Sequence, residues 1–196
     1  MAGFRKCPRT RGPEPAGTPV VEGRVNDVDR DASRHPGAYG FRPATWRDLP
    51  LLRAWLRAPE VRRWWGDPAE QAALLEADLS EPRMVMRIVS FAERPFAYAQ
   101  DYAVHAWPQP HFSGLPQGAR AIDAFVGEPD MLGRGHGSAF LRLLAERLKA
   151  EGAPVVAIDP DVENIRARRA YERAGFRGDT VVETAAGPAV LMIFQG

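Results

Sequence analysis

The segment MLGRGHGS, residues 131–138, places three glycines in five positions directly before a stretch with helical apolar periodicity. The first turn of a helix has backbone N–H groups without partners, and the helix dipole adds positive partial charge there. Glycine lets the backbone adopt positive φ and approach a ligand closely. A helix start of this kind binds anions, most often phosphate. The alternative is a tight strand-to-helix turn that needs no ligand.

The common phosphate-binding loops do not match this segment. A P-loop needs a lysine after its last glycine, and Ser138 follows Gly137 here. A dinucleotide-binding fingerprint needs G-x-G-x-x-G, whereas the spacing from Gly133 to Gly137 is G-x-G-x-G. Asp159 follows the next apolar strand, roughly where a ribose-binding acid would lie, but no βαβ pattern precedes the loop. The glycines alone therefore predict a phosphate group without naming its carrier.

Composition describes the domain that must hold this loop. The chain has 196 residues, of which 45% are hydrophobic and 26% charged, as expected for one globular domain. Residues 1–38 contain five prolines and five glycines without periodicity. They predict a mobile tail, either a docking arm or, as we favour, a solvated extension. The folded domain is predicted over residues 39–196.

Charge and cysteine content limit the classes of binding partner and the cellular location that the sequence predicts. A net charge of +1 argues against nucleic acid or an acidic membrane surface as a partner. No apolar run approaches the length of a membrane span. Cys7 is the one cysteine, so no internal disulfide is expected, and a cytoplasmic location is predicted. His105, His111 and His136 lack metal-ligand spacing, so no metal site is predicted.

Periodicity and turn signals predict an α/β domain with a mixed sheet and helices on its faces, in the order β-α-β-β-β-α-β-α-β-β. Thr45 and Asp48 are spaced as a capping box before the first helix. The predicted elements are a strand at Tyr39–Pro43, a helix with an apolar stripe of Leu49, Leu52, Trp55 and Leu56, two strands within 83–104 joined by a turn at Ala92–Pro95, a strand within 119–127, a helix within 133–151, a strand within 154–159, a helix within 164–176 ending at Gly175, and two strands within 179–184 and 188–194.

Two of these segments together resemble the GNAT acyltransferase superfamily. They are LGRGHG (132–137) at a helix start and, after one strand, NIRARRAYERAGF (164–176). The resemblance covers about 39–196 and implies a GNAT fold, with a central mixed sheet whose two parallel strands splay apart, and acetyl-CoA as cosubstrate. Leu132 stands where many relatives have Arg or Gln. Backbone amides make most of the pyrophosphate contact in this family, so cofactor binding is still expected.

The GNAT resemblance also implies which residues hold acetyl-CoA. Its pantetheine is expected to add like a strand beside Phe125 and Val126, in the cleft between the parallel strands. Asn164 would bind pantetheine, and Tyr171 lies seven residues later on the same helical face. The pyrophosphate would lie on the backbone amides of Arg134, Gly135, His136, Gly137 and Ser138, with the Arg134 side chain either adding charge beside the phosphates or remaining a solvated flank.

Five further motifs, in order along the chain, are similar to those of aminoglycoside 6′-N-acetyltransferases. This second resemblance implies acetylation of the 6′-amine of an aminoglycoside, and hence antibiotic resistance. The motifs are RRWWGD (62–67), FAYAQDY (96–102), ARAIDAF (119–125), IDPDVEN (158–164) and GPAVLM (187–192).

The resemblance assigns catalytic roles to Asp123 and Tyr171. The attacking amine must be uncharged, and a carboxylate can orient it and accept its proton. An ordinary aspartate has a pKa of about 3.9, so Asp123 is predicted to orient the amine and to act as base only if its environment perturbs it. Tyr171 would protonate the departing thiolate.

The acceptor site is predicted to include Trp64, Trp65, Asp101, Asp123 and Asp159. One tryptophan ring would lie against a sugar face, although core packing is an equal alternative for both. Asp159 precedes Pro160 and could instead cap a turn. Asp101 could be a strand-end residue with little part in binding.

The loop expected to face the acceptor, residues 102–122, differs in charge from the corresponding loop of the resembled enzymes, which is acidic. Residues 102–122 contain no Asp or Glu, and Ala186 stands where relatives place an acid. Siderophore-type hydroxylysine acylation, or acylation of another small amine, is therefore a second hypothesis. A non-catalytic CoA-binding module is a third, which the joint presence of Asp123, Asn164 and Tyr171 disfavours. In each enzymatic case the partner is a small-molecule amine, and the sequence predicts no oligomeric state.

Overall fold

A computed structural model describes residues 38–196, so the predicted tail lies outside the described residues except for Ala38. The predicted strand and helix order is confirmed, and one seven-stranded mixed sheet runs through the domain. Two further helices that the sequence analysis did not predict, of seven and eleven residues, follow the first helix. The elements are β1 Tyr39–Pro43, α1 Leu49–Leu56, α2 Pro59–Trp65, α3 Pro68–Asp78, β2 Met84–Phe91, β3 Arg94–Ala103, β4 Arg120–Val126, α4 His136–Ala150, β5 Val156–Ile158, α5 Ile165–Ala174, β6 Phe176–Thr184 and β7 Gly187–Phe194.

The predicted capping box is present, at the 3-10 turn Trp46–Asp48 that leads directly into α1. The Thr45 backbone N–H and hydroxyl both donate to Asp48 Oδ2, at 2.8 and 3.0 Å. Arg42 donates to the same carboxylate, and this contact holds the pKa of Asp48 below its ordinary value. The capping box fixes the entry into the helix. The predicted apolar stripe is buried against the sheet, at Leu49, Leu52, Trp55 and Leu56.

The sheet opens between its two parallel strands. The strand order is β1-β2-β3-β4-β5-β7-β6, and β4 and β5 are its parallel pair. They pair only at Arg120↔Val156 and Ala121↔Ala157, after which β4 continues to Val126 while β5 ends at Ile158. The predicted splayed pair is thus confirmed, and the backbone edge of β4 beyond Ala121 is left for another strand-like partner.

The two faces of the sheet carry separate cores, because side chains alternate along each strand. Ile122 of β4 packs with the α4 side, together with Phe140 and Leu144. Ala121 and Phe125 pack on the other face, with the residues of α1, α2 and α3. Asp123 has the same parity as Phe125 and therefore lies on the face that α1, α2 and α3 cover.

Gly127, just after β4, allows this second core to close. A Cβ atom at this position would lie 2.2 Å from the ring of Trp55. Trp55 is buried, and its Nε1 donates to Glu128 Oε1 at 2.8 Å, so the ring has little freedom to move.

We expect Gly127→Ala to lower the free energy of unfolding by about 1–3 kcal/mol, the usual cost of overpacking a core. Chemical denaturation measures this difference. Gly114→Ala is the matched control, because nothing lies within 4 Å of a Cβ there. Equal stability of the Gly127 and Gly114 variants would contradict the close packing of Trp55.

Candidate active site

The divergence of β4 and β5 produces a cavity of about 470 Å³. Its walls are the unpaired half of β4, the glycine loop with the first turn of α4, the start of α5, and the end of α2. The cavity therefore joins the predicted phosphate loop to the predicted acceptor residues. Those that line it are Trp64, Trp65, Asp123, Phe125, Val126, Gly135, Gly137, Ser138, Asp159, Asn164 and Tyr171.

The glycine loop has the geometry of an anion site. Gly133 and Gly135 have φ of 74° and 79°, a conformation that favours glycine. Gly135 is the N-cap of α4, and its carbonyl accepts the first helical bond from Ala139 N, at 3.0 Å. The N–H groups of the preceding first-turn residues consequently have no intrahelical partner. A Cβ at Gly137 would meet only Val126, at 3.9 Å, so a ligand can reach the backbone.

The two side chains within this loop point in different directions. His136 is buried, and its Nδ1 is 2.8 Å from the hydroxyl of Tyr39. Its ring packs against Phe91 and Phe96 and thereby anchors the start of α4 to the sheet. Arg134 is exposed, with Nη1 3.5 Å from the carbonyl of Asp130. His136 can therefore offer a ligand only its backbone, whereas the Arg134 side chain is open to solvent.

Asp123 lies on β4 at the floor of the cavity, 5% exposed. Gln100, its partner across the β3–β4 ladder, donates from Nε2 to Asp123 Oδ2 at 3.1 Å. Gln100 in turn accepts a hydrogen bond from the hydroxyl of Tyr98. This chain of buried polar groups fixes the orientation of the carboxylate.

Asp78 is an acidic residue near Asp123 that the sequence analysis did not identify. It ends α3, is 7% exposed, and its Oδ2 has no hydrogen-bond partner among residues 38–196. Burial and, to a smaller extent, the charges of Glu81 and Asp123 together raise its pKa to about 6. Gln71, Leu75 and Asp78 share a helical face, so an acid in an otherwise buried stripe was the available signal.

Asp159 follows β5 and faces the same cleft as Asp123. It is 8% exposed and lines the cavity. Besides burial, the charges of both aspartates raise the pKa values of Tyr102 and Tyr171. Both carboxylates therefore influence the same two tyrosine hydroxyls, of which Tyr171 lines the cavity.

Tyr171 and Asn164 lie on α5, as the spacing predicted. Asn164 is the N-cap, and its Oδ1 accepts from the backbone N–H of Ala167 at 3.1 Å. Its side-chain amide can still donate to a ligand, because only the oxygen is used by the cap. Burial raises the pKa of Tyr171 above its ordinary value, and Asp123 and Asp159 add to the effect. Tyr171 therefore keeps its proton throughout the physiological range.

The two tryptophans of α2 have different surroundings. Trp65 is buried, with its ring centroid 4.8 Å from that of Phe125 and 6.1 Å from that of Tyr98. Trp64 is half-buried, and the guanidinium of Arg63 lies 5.0 Å from its ring centroid. Trp65 thus packs in the aromatic core, and Trp64 presents the more accessible ring to the cleft.

Asp101 lies apart from this group. It pairs across the ladder with Ile122, which places its side chain on the face opposite Asp123. The side chain is fully buried and forms ion pairs with Arg87 and Arg120. The structure therefore does not bring Asp101 together with the other predicted acceptor residues, and the neighbouring Gln100 is the β3 residue that reaches Asp123.

The sequence pattern of an acetyltransferase (GNAT) domain matches residues 45–184. The chain belongs to the GNAT acetyltransferase family. This assignment agrees with the splayed parallel pair and with the glycine loop at the start of α4. Within residues 38–196 this acetyltransferase has no helix both long enough and apolar enough to cross a membrane.

Relatives of this GNAT enzyme include aminoglycoside acetyltransferases. It is 30% identical over 165 residues to aminoglycoside N(6′)-acetyltransferase type 1 of Klebsiella pneumoniae, covering 78% of this chain and 81% of that protein. A solved structure of AAC(6′)-Ib with paromomycin and acetyl-CoA is 29% identical, with a TM-score of 0.72 and coverage of 80% and 93% of the two chains. AAC(6′)-Ib with coenzyme A and kanamycin gives a TM-score of 0.71 at 29% identity, with coverage of 79% and 93%.

Proposed function

We propose that this GNAT enzyme transfers an acetyl group from acetyl-CoA to the 6′-amine of an aminoglycoside, directly within a ternary complex. One observation supports this most strongly: the buried carboxylates of Asp123 and Asp159 share a cavity with Tyr171 and the glycine loop. A polyamine acceptor needs separate anionic partners for its ammonium groups, and Asp123 and Asp159 are two such partners, both buried. The relatives named for aminoglycoside acetylation, at 30% and 29% identity, point the same way.

The cavity fits acetyl-CoA, which supplies an activated acetyl group and a thiolate leaving group. The first-turn amides of α4 and the open backbone at Gly137 would hold the pyrophosphate. The free edge of β4 at Phe125 and Val126 would pair with the pantetheine amides, as an added strand does. The side-chain amide of Asn164 would donate to pantetheine from the opposite wall.

On the acceptor side, the Trp64 ring would cover a sugar face, Asp159 would bind one ammonium group, and Asp123 would hold the reacting amine. Holding amine and thioester in contact supplies much of the rate. Asp123 orients the amine and takes its proton directly or through water. A backbone N–H of β4 near Phe125 or Val126 stabilises the oxyanion, and the hydroxyl of Tyr171 protonates the thiolate.

We further propose that residues 39–196 form the catalytic domain and that the enzyme acts in the cytoplasm. The family match over 45–184 supports the first proposal. Consumption of acetyl-CoA and the single cysteine of the chain favour the second.

An acceptor screen tests the proposed function. Thiol release from acetyl-CoA is followed with kanamycin-type and gentamicin-type aminoglycosides and with small monoamines, including hydroxylysine analogues. We expect release with aminoglycosides, acetylation at the 6′-amine in product analysis, and raised resistance of cells that express the chain. If only the monoamines are consumed, the aminoglycoside assignment is wrong and a siderophore-type activity replaces it.

The phosphate-loop assignment predicts that Gly135→Asp weakens acetyl-CoA binding at least about tenfold, a loss of about 1.4 kcal/mol. The carboxylate would face the phosphates, and the side chain would occupy a position where φ is 79°. Isothermal titration calorimetry measures the affinity. Gly114→Asp makes the same charge change at an open position and should bind normally. Unchanged affinity in a folded Gly135 variant would contradict the loop's role.

A further inference from the structure

The acceptor loop between β3 and β4 contacts the cleft through a histidine. His111 lies in the short 3-10 turn Pro110–Phe112, and its Nε2 is 3.4 Å from Asp159 Oδ2. Both side chains are enclosed, with 7% of the histidine and 10% of the aspartate exposed. The ring of fully buried Phe112 lies 4.0 Å from the His111 ring, centroid to centroid, and holds it in place.

The two atoms of this contact are close but do not form a hydrogen bond. Within the described part of the chain, His111 Nε2 is buried and has no hydrogen-bond partner. Asp159 is also the only carboxylate there within 4.0 Å of the ring. A buried polar atom without a hydrogen-bond partner is costly, so the pair favours a state in which Nε2 has one. Two groups can satisfy it: a proton on the ring, or a cation from the acceptor.

We propose that His111 competes with an ammonium group of the acceptor for Asp159, and that it is therefore a specificity-determining residue of the acceptor cleft. The inference rests on the proposed function, since it concerns an acceptor with more than one ammonium group. When the ring is neutral with its proton on Nδ1, Nε2 and Oδ2 both accept hydrogen bonds from the ammonium. When the ring is protonated, it donates to Asp159 itself and repels the ammonium.

The loop composition gives this competition its importance. Residues 102–122 contain no Asp or Glu, so they offer no further carboxylate to an acceptor's cationic groups. Asp159 and Asp123 are therefore the buried anions of the cleft, and Asp123 is reserved for the reacting amine. A cation that satisfies Asp159 from within the protein leaves Asp123 as the one remaining buried carboxylate among the described residues that line the cavity.

The neighbouring titratable groups define the pH range of a test. The pKa of Tyr102 on β3 and of Tyr171 on α5 lie above their ordinary values, so both stay neutral near pH 6. Asp78 of α3, with its pKa raised to about 6, titrates in the same range and must be controlled. The other charged groups of the neighbouring elements are Asp123 on β4 and, on β6, Arg177, Asp179 and Glu183, which are exposed.

Steady-state kinetics at pH 7.5 and 5.5 test the competition. Protonation of the ring, which the lower pH favours, would raise the KM for kanamycin by simple competition for Asp159. We expect that rise in the wild type, less than about a twofold rise in His111→Gln, and little effect of His111→Gln on kcat at pH 7.5. A monoamine acceptor should show no His111-dependent change in KM.

Two variants separate His111 from its surroundings. His105→Gln changes an exposed histidine of the same loop, bonded to the Leu115 carbonyl, and should behave as wild type. Asp78→Asn removes the acid whose pKa is raised to about 6 and should keep the rise in KM. If His111→Gln keeps the rise, or if Asp78→Asn abolishes it, the proposal is wrong.

Calorimetry supplies a readout that needs no turnover. Kanamycin binding is measured at pH 6.5 in two buffers of different ionisation enthalpy, in wild type and in His111→Gln. We expect the wild type to release more protons per site than the variant, because an ammonium group that binds Asp159 would displace the proton of the His111 ring. Equal proton release in both proteins would contradict the role of His111 but not the proposed function. Absence of both binding and acetylation in the wild type would instead contradict the proposed function.

Discussion

Asp123→Asn should lower kcat for aminoglycoside acetylation about 10²- to 10⁴-fold, the range expected for loss of a positioned general base. The substitution keeps the shape of the side chain and its contact with Gln100 but removes the negative charge. Asp123 is 5% exposed, so water cannot readily replace the lost carboxylate. The reacting amine would then lose both its electrostatic partner and the acceptor for its proton.

Asp159→Asn is the matched control, because it removes the same charge from the other side of the same cleft. We expect it to raise the KM for kanamycin, with a smaller effect on kcat, since Asp159 holds an ammonium group that does not react. A charge-assisted contact of this kind contributes roughly 1.5–3 kcal/mol. Added salt should also raise the wild-type KM. If the two variants lose kcat equally, Asp123 has no special place at the reacting amine.

The order of elements could be predicted because glycine, proline and apolar periodicity mark the long segments clearly. The helices α2 and α3 were missed, although each begins with a proline in its first turn, a common helix-start signal. The segment of α2 is only seven residues long, too short for a periodic pattern. It is held by tertiary contacts such as Trp65 against Phe125.

The acids of the cleft show a second limit of sequence analysis. In FAYAQDY, Gln100 and Asp101 are adjacent, and the side-chain period of a strand sends them to opposite faces. Its negative charge made Asp101 the residue expected to bind the acceptor, but the β3–β4 register places Gln100 beside Asp123. Asp101 is neutralised by Arg87 and Arg120, which are 14 and 19 residues away in sequence. Register between strands, rather than residue type, decided which side chain reached the cleft.

Asp78 and His111 were missed for a related reason. Neither belongs to a motif, and each gains its significance from a residue distant in the chain. Asp78 lies on α3 yet is influenced by the charge of Asp123 on β4. His111 was considered only as a metal ligand, whereas its contact is with Asp159, 48 residues on. Such pairs depend on how the loops and helices pack over the open sheet, which local patterns do not encode.

Tyr171→Phe should lower kcat about 10²-fold while leaving acetyl-CoA affinity nearly unchanged. The ring would still pack beside Phe176, whose centroid lies 6.3 Å away, and only the hydroxyl would be lost. Because the pKa of Tyr171 lies above its ordinary value, the hydroxyl keeps its proton until pH exceeds about 10. The wild-type rate should therefore show no alkaline decline from this residue below that pH.

Tyr102→Phe separates proton donation from general polarity of the cleft. Tyr102 is also buried and also has its pKa raised by burial, Asp123 and Asp159, but its hydroxyl donates to Gln109 Oε1 at 3.4 Å. It lies on β3, away from the helix that faces the thioester, so its loss should change kcat less than threefold or so. Steady-state rates and calorimetric acetyl-CoA affinities on both variants decide the matter. If Tyr171→Phe turns over as fast as Tyr102→Phe, the departing thiolate takes its proton from elsewhere, and Tyr171 is a packing residue on the inner face of α5.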